Sequence, residues 1–140
     1  MKTIIERTLI TLLLFSAFLT SAQGQFNADT EASILNWKGF KPTGDHYGTV
    51  KVKEGFFTVK DKQVVSGEFE IDMTSIVNLD MDADSEYNTK LVNHLKGDDF
   101  FSVEKYPVAS FKISKTEIKG DKTLITGDLS IKGKTHSVSF

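Results

Sequence analysis

The sequence predicts an all-β fold, an antiparallel up-and-down barrel interrupted once by a helix near residues 85–97. Three observations carry this. Six or seven short runs alternate apolar and polar residues, the period of a strand with one buried face. Turn-forming residues separate successive runs, so neighbours in sequence pair as hairpins. One stretch, from Asp84 to Gly97, abandons the alternation and spaces its apolar residues four apart. A sheet with one apolar face buries it against a second sheet or by closing on itself. Consecutive hairpins favour closure, with a two-sheet sandwich as the alternative.

Residues 31–38 place Leu35 and Trp37 in one phase and Asn36 and Lys38 in the other. Phe40-Lys-Pro-Thr-Gly-Asp45 is rich in turn formers and is expected to end that strand. The next run sets Val50 and Val52 against Thr49, Lys51 and Lys53; Gly55 is an expected break, after which Phe57 and Val59 continue. Asp61-Lys62 reads as a tight turn. Val65, Gly67, Phe69, Ile71 and Met73 then form one face, with Ser66, Glu68, Glu70 and Asp72 on the other. Asp84 or Ser85 can cap a helix whose first turn holds Glu86. Tyr87, Leu91, Val92 and Leu95 make its apolar stripe, and Gly97 suits a left-handed stop after Lys96. Pro107 holds Tyr106 extended and sets the start of a strand carrying Ala109, Phe111 and Ile113. Lys119-Gly-Asp-Lys122 and Lys132-Gly-Lys134 are turns on either side of Ile125, Gly127, Leu129 and Ile131. His136, Val138 and Phe140 begin a last strand.

Residues 1–24 read as a secretory signal peptide and residues 25–140 as one domain. Lys2 and Arg7 give a basic start, although Glu6 is unusual there. An apolar run from Leu9 to Leu19 follows, and small residues allow a cut after Ala22 or Gly24. The run is shorter than the roughly 20 residues a membrane span needs. The expected location is the periplasm or the exterior, with no transmembrane span after cleavage.

Composition excludes several functions. Seventeen basic and nineteen acidic residues give a net charge of −2, without the basic patch that nucleic acid requires. No cysteine is present, so disulfides, thiol chemistry and Cys-ligated metals are excluded. His46, His94 and His136 show no metal-ligand spacing, and no Ser lies in a Gly-x-Ser-x-Gly elbow. A structural hydrogen bond is the expected role of His46, and turn capping that of Asp98 and Asp99. Asp80-Met-Asp-Ala-Asp-Ser-Glu86 matches the first ligands of a calcium loop, but Ser85 stands where Gly is needed and Leu91 where the bidentate Glu belongs. No enzyme activity, metal or cofactor is expected.

The order of several short elements resembles one family of exported bacterial proteins. They are Ser33 with Trp37-Lys-Gly39; Gly44, His46 and Gly48; Gly67 with Phe69; Asp72-Met-Thr-Ser-Ile76 and Asp80; Asn88, Lys90-Leu91 and His94-Leu-Lys96; Asp99-Phe-Phe101; Lys105-Tyr-Pro107 with Ala109 and Phe111; and Gly127-Asp-Leu-Ser-Ile-Lys-Gly133 with Thr135. Together they resemble the YceI-like family. The resemblance implies a lipocalin-like barrel that binds polyisoprenoid-type lipids. Family members usually continue past the segment matching Ile131-Lys-Gly133 with strands that close the barrel. This domain is therefore expected to be C-terminally truncated and the barrel incomplete, with open edges that could pair in a homodimer.

The expected partner is an amphiphilic lipid, isoprenoid-type by resemblance. The lining expected from the alternating faces is Val50, Val52, Phe57, Val65, Phe69, Ile71, Met73, Phe111, Ile113, Leu129 and Ile131. Leu91, Leu95, Phe100 and Phe101 are expected to cap one barrel end, to form a portal for the lipid, or to anchor the helix to the barrel's outside. The alternative function is a packed, ligand-free stress or interaction module. Because the acidic loop fails the calcium rule, calcium should raise the melting temperature no more than magnesium does; a calcium-specific rise in a thermal melt would reverse that assignment.

Overall fold

The computed structural model describes residues 23–140; the expected signal peptide lies almost wholly outside them. Seven strands and one helix follow in order: β1 (Gln23–Asn27), β2 (Ile34–Lys41), β3 (Gly44–Lys60), β4 (Gln63–Asn78), α1 (Glu86–Lys96), β5 (Val108–Lys119), β6 (Lys122–Ile131) and β7 (Lys134–Ser139). All pairings are antiparallel, and the sheet runs β1-β3-β4-β5-β6-β7 with β2 also on β3. β3 is long enough to take two partners on one edge: β2 along residues 44–51 and β1 along residues 56–60. The up-and-down order is the expected one. Among the described residues the sheet is open, since β7 pairs neither β1 nor β2.

The hairpins follow from their turn residues. Asp61 and Lys62 both take positive φ, 50° and 65°, the two-residue turn whose twist matches paired strands. Lys132 and Gly133 do the same at 50° and 71°. Two local expectations fail. Phe40 and Lys41 belong to β2, and Gly44 and Asp45 to β3, so the turn shrinks to Pro42-Thr43. Gly55 does not break β3; it sits opposite Phe69 inside a continuous strand. β1 was not foreseen, because Gln23–Asn27 holds a single large apolar residue, Phe26, and so shows no alternation.

Ser85 caps α1, its hydroxyl accepting from the Tyr87 N–H. Gly97 ends the helix in an extended conformation (φ −73°, ψ 177°) rather than the expected left-handed one, and its N–H donates to Asn93 and His94 carbonyls. The buried face also departs from the apolar stripe. Leu95 is buried and Leu91 half-buried, but Tyr87 is 75 % exposed. Asn88 takes the inward position and donates to the Met81 and Asp82 carbonyls, tying the helix to the loop before it.

The core gathers where α1 meets the sheet. Val50, Met73, Ile76, Leu95, Val103 and Ala109 pack together, with Trp37, Ile71, Leu91, Phe101 and Ile131 against them. Elsewhere aromatic rings lie over glycines. A Cβ on Gly127 would stand 2.4 Å from the Phe111 ring, and one on Gly55 2.4 Å from that of Phe69. Gly48 is the tightest: its Cβ would meet the Val77 carbonyl oxygen at 1.8 Å and the Trp37 ring at 2.8 Å. Trp37 is held there by its indole N–H, which donates to the same carbonyl at 3.0 Å. Gly48→Ala should therefore cost about 2–4 kcal/mol by urea denaturation, and Gly39→Ala, with only a Trp37 ring atom at 4.0 Å, no more than about 0.5 kcal/mol.

Candidate ligand-binding face and its polar clasp

Directly opposed residues in an antiparallel ladder share a face. Register therefore unites the expected lining. Phe69, Phe111 and Leu129 lie side by side across β4, β5 and β6. One step along, Val52, Ile71 and Ala109 do the same. Phe57 opposes Gly67, and Ile113 opposes Gly127. Val50 and Met73 are buried in the core at the helix end, where Ile131 joins them half-buried. Phe57, Phe69, Phe111, Ile113 and Leu129 are half-buried with no helix above them. Phe26 stacks on Phe57 and Phe140 tilts against Phe111, each with centroids 5.6 Å apart.

Two expected lining residues lie apart. Val65 is 41 % exposed: the β3–β4 register shifts there, so Val64 opposes Val59 and Val65 is left over. Phe100 is 47 % exposed and sits edge-on to His94 at 5.0 Å instead of facing the sheet. Leu91, Leu95 and Phe101 pack with Val50, Ile71 and Ala109. The helix thus packs against one end of the apolar face.

Below the helix end, a polar clasp joins three segments. His46 Nδ1 lies 2.8 Å from Asp80 Oδ2, and its Nε2 lies 3.0 Å from Lys41 Nζ. A neutral ring satisfies both contacts when Nδ1–H donates to the carboxylate and Nε2 accepts from the ammonium. Asp80 Oδ1 also accepts from the Tyr47 N–H at 2.9 Å and from the Asn78 amide. Asn78 is buried, donates to the Tyr47 carbonyl at 3.2 Å, and accepts from the Met81 N–H. Burial pushes the Asp80 carboxyl up, but the Tyr47, His46 and Asn78 hydrogen bonds outweigh it and hold the group at about 2. His46 thus has the structural role expected of it. The sequence offered His46 and Asp80 only as separate elements, 34 positions apart; nothing local signals their contact.

The rest of the surface offers little chemistry. Among the described residues, no group of three or more His, Asp or Glu side chains could hold a metal. Asp98 bonds the Ser102 hydroxyl, while Asp99 pairs with His94 at 3.3 Å. A shallow cleft of about 550 Å³ beside β1 carries Glu54, Glu68 and Glu70 among its lining. Lys53 and Lys112 pair with Glu70 and Glu68, at 2.8 and 3.7 Å. Among the described residues no helix is long and apolar enough to cross a membrane.

Among the described residues the architecture is an open antiparallel sheet with one aromatic-rich face, covered at one end by α1. The model of the YceI-like domain matches residues 26–140, and the chain belongs to that family. The UPF0312 protein of Photorhabdus laumondii is 32% identical over 92 residues, 66% of this chain and 45% of that protein. Protein YceI of Escherichia coli O6:H1 is 32% identical over 94 residues, 67% of this chain and 46% of its own length. The chain thus matches less than half the length of these two relatives. A crystal structure of the YCEI protein of Campylobacter jejuni is 19% identical, with a TM-score of 0.46 over 97% of this chain and 66% of that one.

The clasp sets an acid limit on stability. The Asp80 carboxyl lies below its ordinary value of 3.8, so its contribution is full above that pH and is lost as pH falls toward about 2. In a series of thermal melts, Asp80→Asn should lower the melting temperature at neutral pH and flatten the fall between pH 3.8 and about 2.

Proposed function

We propose that the chain is an exported, non-enzymatic lipid-binding protein that holds the apolar tail of an amphiphile along the inner face of its sheet. One observation carries this: the face made by Phe57, Phe69, Phe111, Ile113 and Leu129 is continuous by register but only half-buried. Among the described residues no large side chain is fully buried. These rings do not fill the space in front of them, and an apolar tail would. Each buried methylene would contribute about 0.8 kcal/mol, so a tail of ordinary length suffices for tight retention. Membership of the YceI-like family supports an isoprenoid-type guest, and the apolar run within residues 1–24 supports export to the periplasm or beyond.

Native mass spectrometry of the protein from the exported fraction tests this. The expected result is a stoichiometric adduct that organic extraction removes; a bare polypeptide mass favours a packed, ligand-free module. Phe111→Asp sets a charge against Phe69, Leu129 and the Phe140 ring. It should abolish the adduct while leaving the far-ultraviolet circular dichroism of the sheet. Undiminished lipid in that variant would remove Phe111 from the site.

A further inference from the structure

The ladder between β4 and β5 is short. It holds five pairs, from Glu68 with Lys112 to Asp72 with Val108, although the strands have 16 and 12 residues. Beyond Glu68, β4 stays paired with β3 as far as Gln63 and Lys60. Beyond Lys112, β5 stays paired with β6 as far as Lys119 and Lys122. The two hairpins do not pair with each other there. The sheet is split from its turn end down to the Gly67–Ile113 contact, where a Cβ on the glycine would stand 3.1 Å from Ile113 Cδ1. This gap lies between interior strands and does not depend on the sheet's outer edges.

The split has a cause in the register. On the first hairpin, Thr58 opposes Ser66 and Val59 opposes Val64, which leaves Val65 as an extra residue on β4. On the second, Ile113 opposes Gly127 and Lys115 opposes Thr126, which leaves Ser114 as an extra residue on β5. Both bulges sit on the strands that border the gap, just past their last shared pair. A bulge bends its strand, increases its twist and disrupts the edge. Two bulges facing each other keep the two edges from zipping together.

The hairpins on either side of the gap carry apolar residues, and lysines stand near their turns. Val59 and Val64 are half-buried on one side, and Ile125 on the other, with Ile118 57 % exposed beside it. Lys60 and Lys62 stand at the first turn and Lys119 and Lys122 at the second, with Lys115 beside the bulge on β5. The carboxylates in the same stretches are Asp61, Glu117 and Asp121, so lysines outnumber acids five to three. Glu117 is shared by Lys115 at 3.1 Å and Lys119 at 3.9 Å.

We propose that this split is a side entrance for an anionic single-tailed amphiphile, whose tail passes between the two hairpins and whose headgroup stays at the lysine-bearing turns. The inference rests on the lipid-binding function above and adds the route and the headgroup charge. At the far end Leu91, Leu95 and Phe101 pack over the face.

The chain has no cysteine, so a clean staple can be placed across the gap. Ser66→Cys with Ser114→Cys, bridged by a short reducible bis-thiol linker, holds the hairpins together. A control staple between Ser110→Cys and Ser130→Cys lies within one ladder. Uptake of a fluorescent polyene fatty acid and of its methyl ester is followed by stopped flow. The gap staple should slow fatty-acid uptake at least about tenfold, with recovery on reduction, and the control staple should not. Protein loaded before stapling should retain its probe, which separates a blocked route from a damaged site. Equal uptake with the staple in place overturns the entrance and leaves lipid binding standing. If the unstapled chain takes up neither probe, lipid binding itself fails and the entrance with it. Reversing Lys60, Lys62, Lys119 and Lys122 to Glu should cut the preference for the acid over the ester about tenfold at low salt; an unchanged preference overturns the headgroup assignment.

Discussion

An apolar sheet face that the chain covers at one end only is the constraint on which the rest of the structure depends. Burial of that face supplies most of the stabilisation available to a chain without cysteine. Yet the fully packed part is confined to the contact of α1 with Val50, Met73, Ile76 and Ala109. Beyond it the aromatic rings shield glycines and one another rather than filling a core. The same face therefore stabilises the fold at one end and remains available to a guest along the rest of its length. Stability and binding draw on one surface, and the helix marks where one gives way to the other.

Hydrogen bonds in the loop before α1 add to the apolar contacts that seat the helix. Three hydrogen bonds fix the carboxylate where β4 leaves the sheet, and Asn88 fastens the first turn of α1 to the Met81 and Asp82 carbonyls. Both asparagines of this region are buried and satisfied. Buried polar groups gain little net energy, but an unmatched one costs more, so the loop has one well-satisfied path. Within the acidic loop Asp80 is held by His46, Tyr47 and Asn78, and Glu86 pairs with Lys90.

Most of the fold was legible because strand, turn and helix signals are local. The strands β3 to β6, the Asp61-Lys62 turn and the Ser85 cap each have signals within a few residues, and each is present. The failures came from pairing and hydrogen bonding between segments. Tyr87 matches the helical spacing, yet polar Asn88 faces inward because it can satisfy two loop carbonyls there. β1 carries no pattern of its own and exists because β3 outruns β2 and leaves an edge to pair. Val65 keeps the phase of Phe69 in the sequence but loses it in the sheet, since a bulge adds a residue that no composition rule announces.

By itself the sequence determined that this is an antiparallel, hairpin-linked sheet with one apolar face and one helix, because period and turn chemistry are properties of neighbouring residues. It also determined the family, through many short elements in a set order. Tertiary structure alone decided which phenylalanines share a row, that His46 meets Asp80, which end α1 covers, and where two interior strands part. Each of these depends on register between segments distant in the chain, and a shift of one residue in pairing turns every later side chain to the other face.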